Sequence, residues 1–249
     1  KVKAFSLLEI GLALLIIGII GSQVVPMIQK TLLSKKHEIT KRNQESLLQS
    51  IAAYTKRKSR LPFASTPALK GTEQEGLSIG IPPYQTLGLN DRTAKDGFGH
   101  FMTYAMNTTL GSTTSIISQS DHDHSFNDVS FCAADNRALH TLTLTNQAIP
   151  ASDYIAVLIV AHYKGEGAYM MNGNRSIFKT VPTDNSRCRA QNITDSGLFC
   201  AEASEDTITW VTRNNFLSTY MQTHCYSSDA LSNTNNVEDA GPEGLLETE

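Results

Sequence analysis

The sequence predicts an α+β protein in which one long N-terminal helix packs on an antiparallel β-sheet head. Three observations predict it. An uncharged apolar run, Ile10 to Met27, lies near the start of the chain. Apolar residues at helical spacing continue from it to about Lys58. Beyond Pro62 the pattern breaks into short segments rich in β-branched and aromatic residues, punctuated by Gly, Pro, Ser and Asn.

The first element is a membrane-spanning helix. From Ile10 to Met27 the residues IGLALLIIGIIGSQVVPM carry no charge. Eighteen residues at about 1.5 Å each give roughly 27 Å, near the hydrocarbon thickness of a bilayer. A secretory signal fits poorly, because its apolar region is about 7–15 residues and ends in a small-x-small site. The stretch SQVVPMIQK supplies none. Glu9 stands at the head of the run, where an unpaired carboxylate in hydrocarbon costs on the order of 3 kcal/mol. Such a residue calls for a partner.

The second element, Ile28 to about Lys58, is an amphipathic stem. Leu32, Leu33, Ile39, Leu47, Leu48, Ile51, Ala52 and Tyr54 form its apolar stripe, expected to pack on the head. Pro62 stops it. Between Lys30 and Arg60 nine Lys or Arg residues face only Glu38 and Glu45, although the whole chain carries a net charge of −3. This basic stretch directly follows an apolar span, so lipid headgroups account for it and nucleic acid is not an expected partner.

The head follows at residues 61–226, and an acidic tail, with no order expected, at 227–249. A length of 249 residues with 40% hydrophobic and 18% charged content supports one core plus an appendage. Leu61 to Asn90 lacks periodicity and reads as a loop. Strands are expected at Met102–Met106, Ser115–Ser118, Val129–Ala133, Leu139–Leu144, Ile155–Ala161 and Thr207–Val211. Arg213 to Thr223 reads as a short helix or an extended arm.

The N-terminal residues resemble the processing site of type IV prepilins and type II secretion pseudopilins. That signature is a basic leader ending in a small residue, then Phe, then Glu four residues on, then a long apolar helix. Here Lys1 to Ala4, Phe5, Glu9 and the run from Ile10 occupy those places, with Ala4 where Gly is usual. The resemblance implies that residues 1–4 end a leader and residues 5–60 form the helix. Prepilin peptidase would cut between Ala4 and Phe5, and the new Phe5 amine would be N-methylated. Pro26 falls where this family commonly carries a proline. The segment with Asp96, Phe98, Gly99 and Tyr104 is similar to the family's D-x-[W/F]-G-x-x-x-x-Y lead-in to the first head strand. The segments IAVLIVAHYKGEGAYM and DTITWVTRNNFLSTYM resemble later strands of one bacterial subgroup.

The implied role is a structural subunit of a type IV pilus-like filament or type II secretion pseudopilus. Glu9 of one subunit would pair with the Phe5 amine of its neighbour, relieving two desolvated charges and setting register. The implied partners are other subunits, the peptidase and an inner-membrane assembly platform. The protein would sit in a bacterial inner membrane before assembly and in a periplasmic or cell-surface filament after it. No enzyme activity is expected.

Other motifs in the chain have simpler readings. Gly76-Leu77-Ser78-Ile79-Gly80 matches G-x-S-x-G, but the nucleophile elbow needs a strand before it and a helix after, and Pro82-Pro83 follows. Gly165-Glu166-Gly167 lacks the third glycine of a dinucleotide loop and reads as a hairpin turn. Asp121-His122-Asp123-His124 is a candidate cation cluster in a loop-like, Ser/Thr/Asn/Asp-rich stretch, and its carboxylates would suit Ca2+. It carries the alternative reading, a membrane-tethered metal- or ligand-binding domain. Cys132, Cys188, Cys200 and Cys225 allow three disulfide connectivities and fit no zinc template. A Cys188–Cys200 bridge would close a loop of about 13 residues, worth roughly 3 kcal/mol, and leave Cys132 with Cys225.

Overall fold

The computed structural model describes residues 7–58, 60–111, 118–119, 126–127, 142–145, 153–162, 165–176, 198–200 and 206–222. One helix, α1 (Leu7–Lys58), holds the whole N-terminal stretch. Its 52 residues make a rod about 78 Å long. Pro26 lies inside it, and Lys56, Arg57 and Lys58 close its last turn, where cations complement the helix dipole.

The head is built on a four-stranded antiparallel sheet. Its strands are β1 (Ile79–Gly80), β2 (Thr103–Met106), β6 (Ile155–Ala161) and β8 (Thr207–Thr212), in the order β1-β2-β6-β8. Thr103 to Met106 pair with Val160 to Val157, and Leu158 faces Trp210 across the β6–β8 ladder. Two short pairs stand apart: β3 (Ser118–Gln119) with β4 (Phe126–Asn127), antiparallel, and β5 (Thr143–Thr145) with β7 (Leu198–Cys200), parallel.

Strand β6 explains why its sequence, IAVLIVA, is apolar without alternation. Every one of its residues is buried, because both faces of the sheet are covered. On one face Val157, Ile159 and Ala161 join Tyr104 and Met106 of β2 against Leu47, Leu48 and Ile51 of α1. On the other, Leu158 and Val160 join Ala105, Leu142 and Leu144. After β8, Thr212 caps a short turn, α2 (Arg213–Asn215). A π-helical turn, Phe216–Met221, then returns Phe216, Leu217 and Met221 to the α1 side of the core.

Several expectations need correction. The loop expected over Leu61 to Asn90 contains β1 and a 3-10 turn at Pro67–Leu69, both too short to show a period. The β5–β7 pair is parallel, outside the antiparallel plan. Of the two alternatives expected from Arg213 onward, a short helix or an extended arm, the helical one is found. The apolar stripe of the stem packs only from Leu47 upward, while Leu32, Leu33 and Ile39 remain exposed. The head reaches down α1 only to the level of Lys36–Thr40, so Leu32 and Leu33 lie below it, while Ile39 lies off the face that Thr40 buries against the head. The strand expected at Val129–Ala133 and residues 139–141 and 115–117 of two others lie outside the described residues.

Candidate functional site

Among the described residues, the exposed large apolar side chains are concentrated on the lower half of α1. From Ile10 to Leu33 the large apolar side chains among the described residues are exposed, with Leu14 and Ile17 at 64% and Met27 at 73%. Mean hydropathy reaches 2.2 over eighteen residues of the helix, none of them buried. Apolar surface of this extent marks a membrane or protein contact. The helix is long and apolar enough to cross a membrane. Glu9 lies in its first turns. Ala4 and Phe5, the expected processing residues, lie outside the described residues.

Pro26 has no N–H to give the carbonyl four residues back, that of Ser22. The Ser22 hydroxyl donates instead to the Ile19 carbonyl at 2.7 Å, and Thr31 donates to the Met27 carbonyl at 2.9 Å. A Cβ at Gly18 would meet nothing within 4 Å. The rod is continuous here but carries one fewer backbone hydrogen bond, so this is where it yields most cheaply.

Above Lys36 the helix is fastened to the head by polar groups as well as by its core residues. The Thr40 hydroxyl donates to the Lys36 carbonyl and accepts from the Gly97 amide, both at 2.9 Å. Asn43 donates to the Arg92 and Lys95 carbonyls at 3.0 and 2.8 Å. Buried Gln44 donates to the Ile159 and Thr207 carbonyls and accepts from the Thr209 hydroxyl. The partner in this grip is the turn of the D-x-F-G segment. The Asp96 carboxylate accepts from the Phe98 and His100 amides, and Gly99 turns the chain at φ +90°. Tyr104, fully buried in β2, then donates to the Pro62 carbonyl at 2.8 Å. The Phe98 ring meets His37 edge-on, and the Lys36 ammonium lies 4.9 Å above it.

A second clasp secures the top of the stem. Arg60 grips both Glu73 carboxylate oxygens at 2.9 Å, while the Tyr54 hydroxyl and the Phe63 amide donate to the same carboxylate. Burial pushes the Glu73 carboxyl up, but the hydrogen bonds from Arg60, Tyr54 and Phe63 outweigh it and hold it below the usual glutamate range. Burial, then the bond to Glu73, raises the Tyr54 phenol. Neither Thr40, Asn43 and Gln44 nor the Glu73 clasp was singled out from sequence. Polar residues at helical spacing opposite a charged face were the signal for the first three. Glu73 carried no local signal, because its partners are folded onto it from elsewhere.

The remaining sequence motifs fare differently. Ser78 precedes β1 and no helix follows that strand, so the nucleophile elbow is absent. Gly165 and Gly167 adopt φ of +76° and +87° in the turn that leaves β6, as a turn reading requires. The cluster Asp121, His122, Asp123, His124 and the side chains of all four cysteines (Cys132, Cys188, Cys200, Cys225) lie outside the described residues, although Cys200 contributes backbone to β7. Among the described residues no group of three or more His, Cys, Asp or Glu could hold a metal ion. Buried His162 contacts the Thr103 hydroxyl at 2.7 Å, which also accepts from Arg175. On its other side the His162 Nδ1 lies 3.7 Å from the Asp206 carboxylate, beyond hydrogen-bond distance, so the cluster is a buried polar seam between β2, β6, the start of β8 and the 165–176 loop. No protein-family model, curated protein or solved structure matches this chain.

Proposed function

We propose that this chain is a structural subunit of a type IV pilus-like filament or type II secretion pseudopilus. The observation that carries the reading is the division of α1. Its lower half is apolar, exposed and headed by Glu9, while its upper half is locked into a folded head. A plain anchor has no need of a carboxylate at that depth, and an enzyme has no need of a stem rigidly continuous with its span. The resemblance of Ala4, Phe5, Glu9 and Pro26 to the prepilin pattern supports the same reading. So does the D-x-F-G segment, which turns the chain into β2 while gripping the stem.

On this reading prepilin peptidase cuts between Ala4 and Phe5, and the Phe5 amine is methylated. The subunit waits in the inner membrane as a single-pass protein beside its assembly platform. The apolar halves of many helices then bundle, Glu9 meeting the amine of a neighbour. The head is a structural body rather than a catalytic one. Co-expression with a prepilin peptidase tests the pathway, read as the mass of the N-terminal peptide. A chain beginning at N-methyl-Phe5 is expected. An uncut chain beside a processed control prepilin overturns the reading and favours a tethered binding domain.

A further inference from the structure

Arg175, Thr103, His162 and Asp206 stand in a row that joins the 165–176 loop to the start of β8 through the interior of the head. Arg175 donates to the Thr103 hydroxyl at 3.0 Å, and that hydroxyl lies 2.7 Å from Nε2 of His162. On the other side of the ring, Nδ1 faces the Asp206 carboxylate at 3.7 Å and has no hydrogen-bond partner among the described residues. Thr103 and the His162 side chain are fully buried, and the Asp206 side chain is 8% exposed.

The donors and acceptors of this row give it a direction. A guanidinium only donates, so the Thr103 oxygen accepts from Arg175. The carboxylate beside Nδ1 favours the ring proton there, which leaves Nε2 to accept the one hydrogen of Thr103. With a neutral ring, each group therefore donates towards Asp206. A protonated ring donates from both nitrogens. Nε2 then turns a hydrogen on the oxygen that Arg175 already uses, and two cations meet at one buried hydroxyl. Nδ1 meanwhile gains an ion pair with Asp206. Arg175 can leave Thr103 without being stranded, because it also reaches the Gly167 carbonyl at 2.9 Å and the Tyr169 hydroxyl at 3.1 Å. Two further titratable groups, His37 of α1 and Asp96, line a cavity of about 10 Å³ with His162. Asp96 is committed to the Phe98 and His100 amides. His100, 3.5 Å from Asp96, is a second imidazole against the loop, its ring packed on Gly165.

We propose that His162 is a proton-operated switch between the 165–176 loop and β8. The neutral ring holds Arg175 through Thr103, and the imidazolium exchanges that hold for the Asp206 carboxylate. Acid thereby loosens the loop at Arg175 while tightening the end of β6 on the start of β8. The loop packs Gly165 on His100 and bridges Tyr169 to Phe101, so the change is passed to the turn seated on Lys36. Filament assembly plays no part in it.

The test follows the full chain in detergent by nitrogen-15 NMR of its imidazoles and by amide hydrogen exchange, from about pH 8 to about pH 5, where imidazoles ordinarily titrate. At neutral pH His162 is expected as the Nδ1-protonated tautomer, and it is expected to gain the Nε2 proton within this range. The amides of Gly167, Ala168 and Ser176 are hydrogen-bonded within the loop. Their protection, corrected for the intrinsic rate, is expected to fall about tenfold as the ring charges, the worth of one hydrogen bond to a charged group. His162→Gln is expected to abolish the fall and His100→Gln to keep it. Asp206→Asn, which removes the partner of the imidazolium, is expected to move the fall to lower pH. A His162 ring that stays neutral throughout, or that carries its proton on Nε2 at neutral pH, overturns the switch. A fall that persists in His162→Gln or disappears in His100→Gln overturns it too. If His162→Gln does not fold, the ring signals of the unsubstituted chain and the Asp206→Asn midpoint decide, and an unmoved midpoint overturns it.

Discussion

A Cβ on Gly97 would lie 2.0 Å from the Lys36 carbonyl oxygen and 2.7 Å from its carbon. The turn that begins at Asp96 thus presses its backbone directly on the backbone of the stem. The clash would be with main chain on both sides, so no side-chain rotation relieves it. Thr40 completes the contact by accepting from the Gly97 amide. The lowest attachment of head to helix is a backbone-to-backbone approach that only glycine allows.

Gly97→Ala is accordingly expected to lift the turn off the stem and cost about 1–3 kcal/mol. Thermal unfolding of the full chain in detergent, followed by Trp210 fluorescence, would register a lower Tm. Gly99→Ala tests a different cause, because nothing lies within 4 Å of its missing Cβ and only its φ of +90° resists substitution. Equal stability of Gly97→Ala and the unsubstituted chain would show that the head is not seated on Lys36.

How much of this was legible in the sequence depends on the range of the interactions. The rod of α1 was readable because helical periodicity and an uncharged run are local properties. Strand β6 was readable to the residue, since seven consecutive buried positions leave an unmistakable apolar string. Strands β1 and β7, of two and three residues, were not, because neither is long enough to carry a period. The stem stripe was overextended to Leu32, Leu33 and Ile39. Amphipathic spacing shows that a face is apolar but does not show where the packing partner stops. Thr40 and Gln44 look like solvent-facing residues in sequence and are 1% exposed in the fold.

Gln44 is the polar centre of the stem–sheet contact. Gln44→Leu keeps its volume roughly while removing the donor to the Ile159 and Thr207 carbonyls and the acceptor for Thr209. A loss of about 1–3 kcal/mol in denaturant unfolding is expected from leaving buried polar partners unmet. Gln49→Leu serves as its counterpart on the exposed face, where the amide reaches only Glu45. That change is expected to stay within about 0.5 kcal/mol. Similar costs for the two would mean that Gln44 carries no more weight than a surface side chain.

The Glu73 clasp makes stability depend on acid. Its carboxyl is held below the usual range in the folded protein, so the unfolded value of about 4.3 is the higher of the two. The stabilisation is complete above that unfolded value and fades as pH falls through the folded one. Glu73→Gln should cost about 1–3 kcal/mol near neutral pH, since Arg60 loses a bidentate partner only 19% exposed. The difference between variant and unsubstituted chain should then narrow below about pH 4, measured by urea unfolding across the acid range. A gap that stays constant down to about pH 3 would remove the carboxylate from this role.

Glu9 lies 27 residues below the lowest contact of head and stem, at Lys36, so the head should be indifferent to it. Glu9→Ala is expected to leave Tm unchanged and to be processed at Ala4–Phe5 like the unsubstituted chain, yet to yield no filaments. On the proposed function, the physical reason is the pairing of Glu9 with a neighbour's Phe5 amine, two charges that the bilayer disfavours. Without its carboxylate, a neighbouring Phe5 amine entering the apolar bundle stays unpaired, at a cost on the order of 3 kcal/mol for each subunit added. An elongating filament meets that penalty at every step, whereas a lone anchor never meets it. Filament yield by electron microscopy, with N-terminal mass as the processing control, separates the two. Normal filaments from Glu9→Ala would mean that the apolar half of α1 bundles without the charge pair, and that register is set elsewhere along the helix.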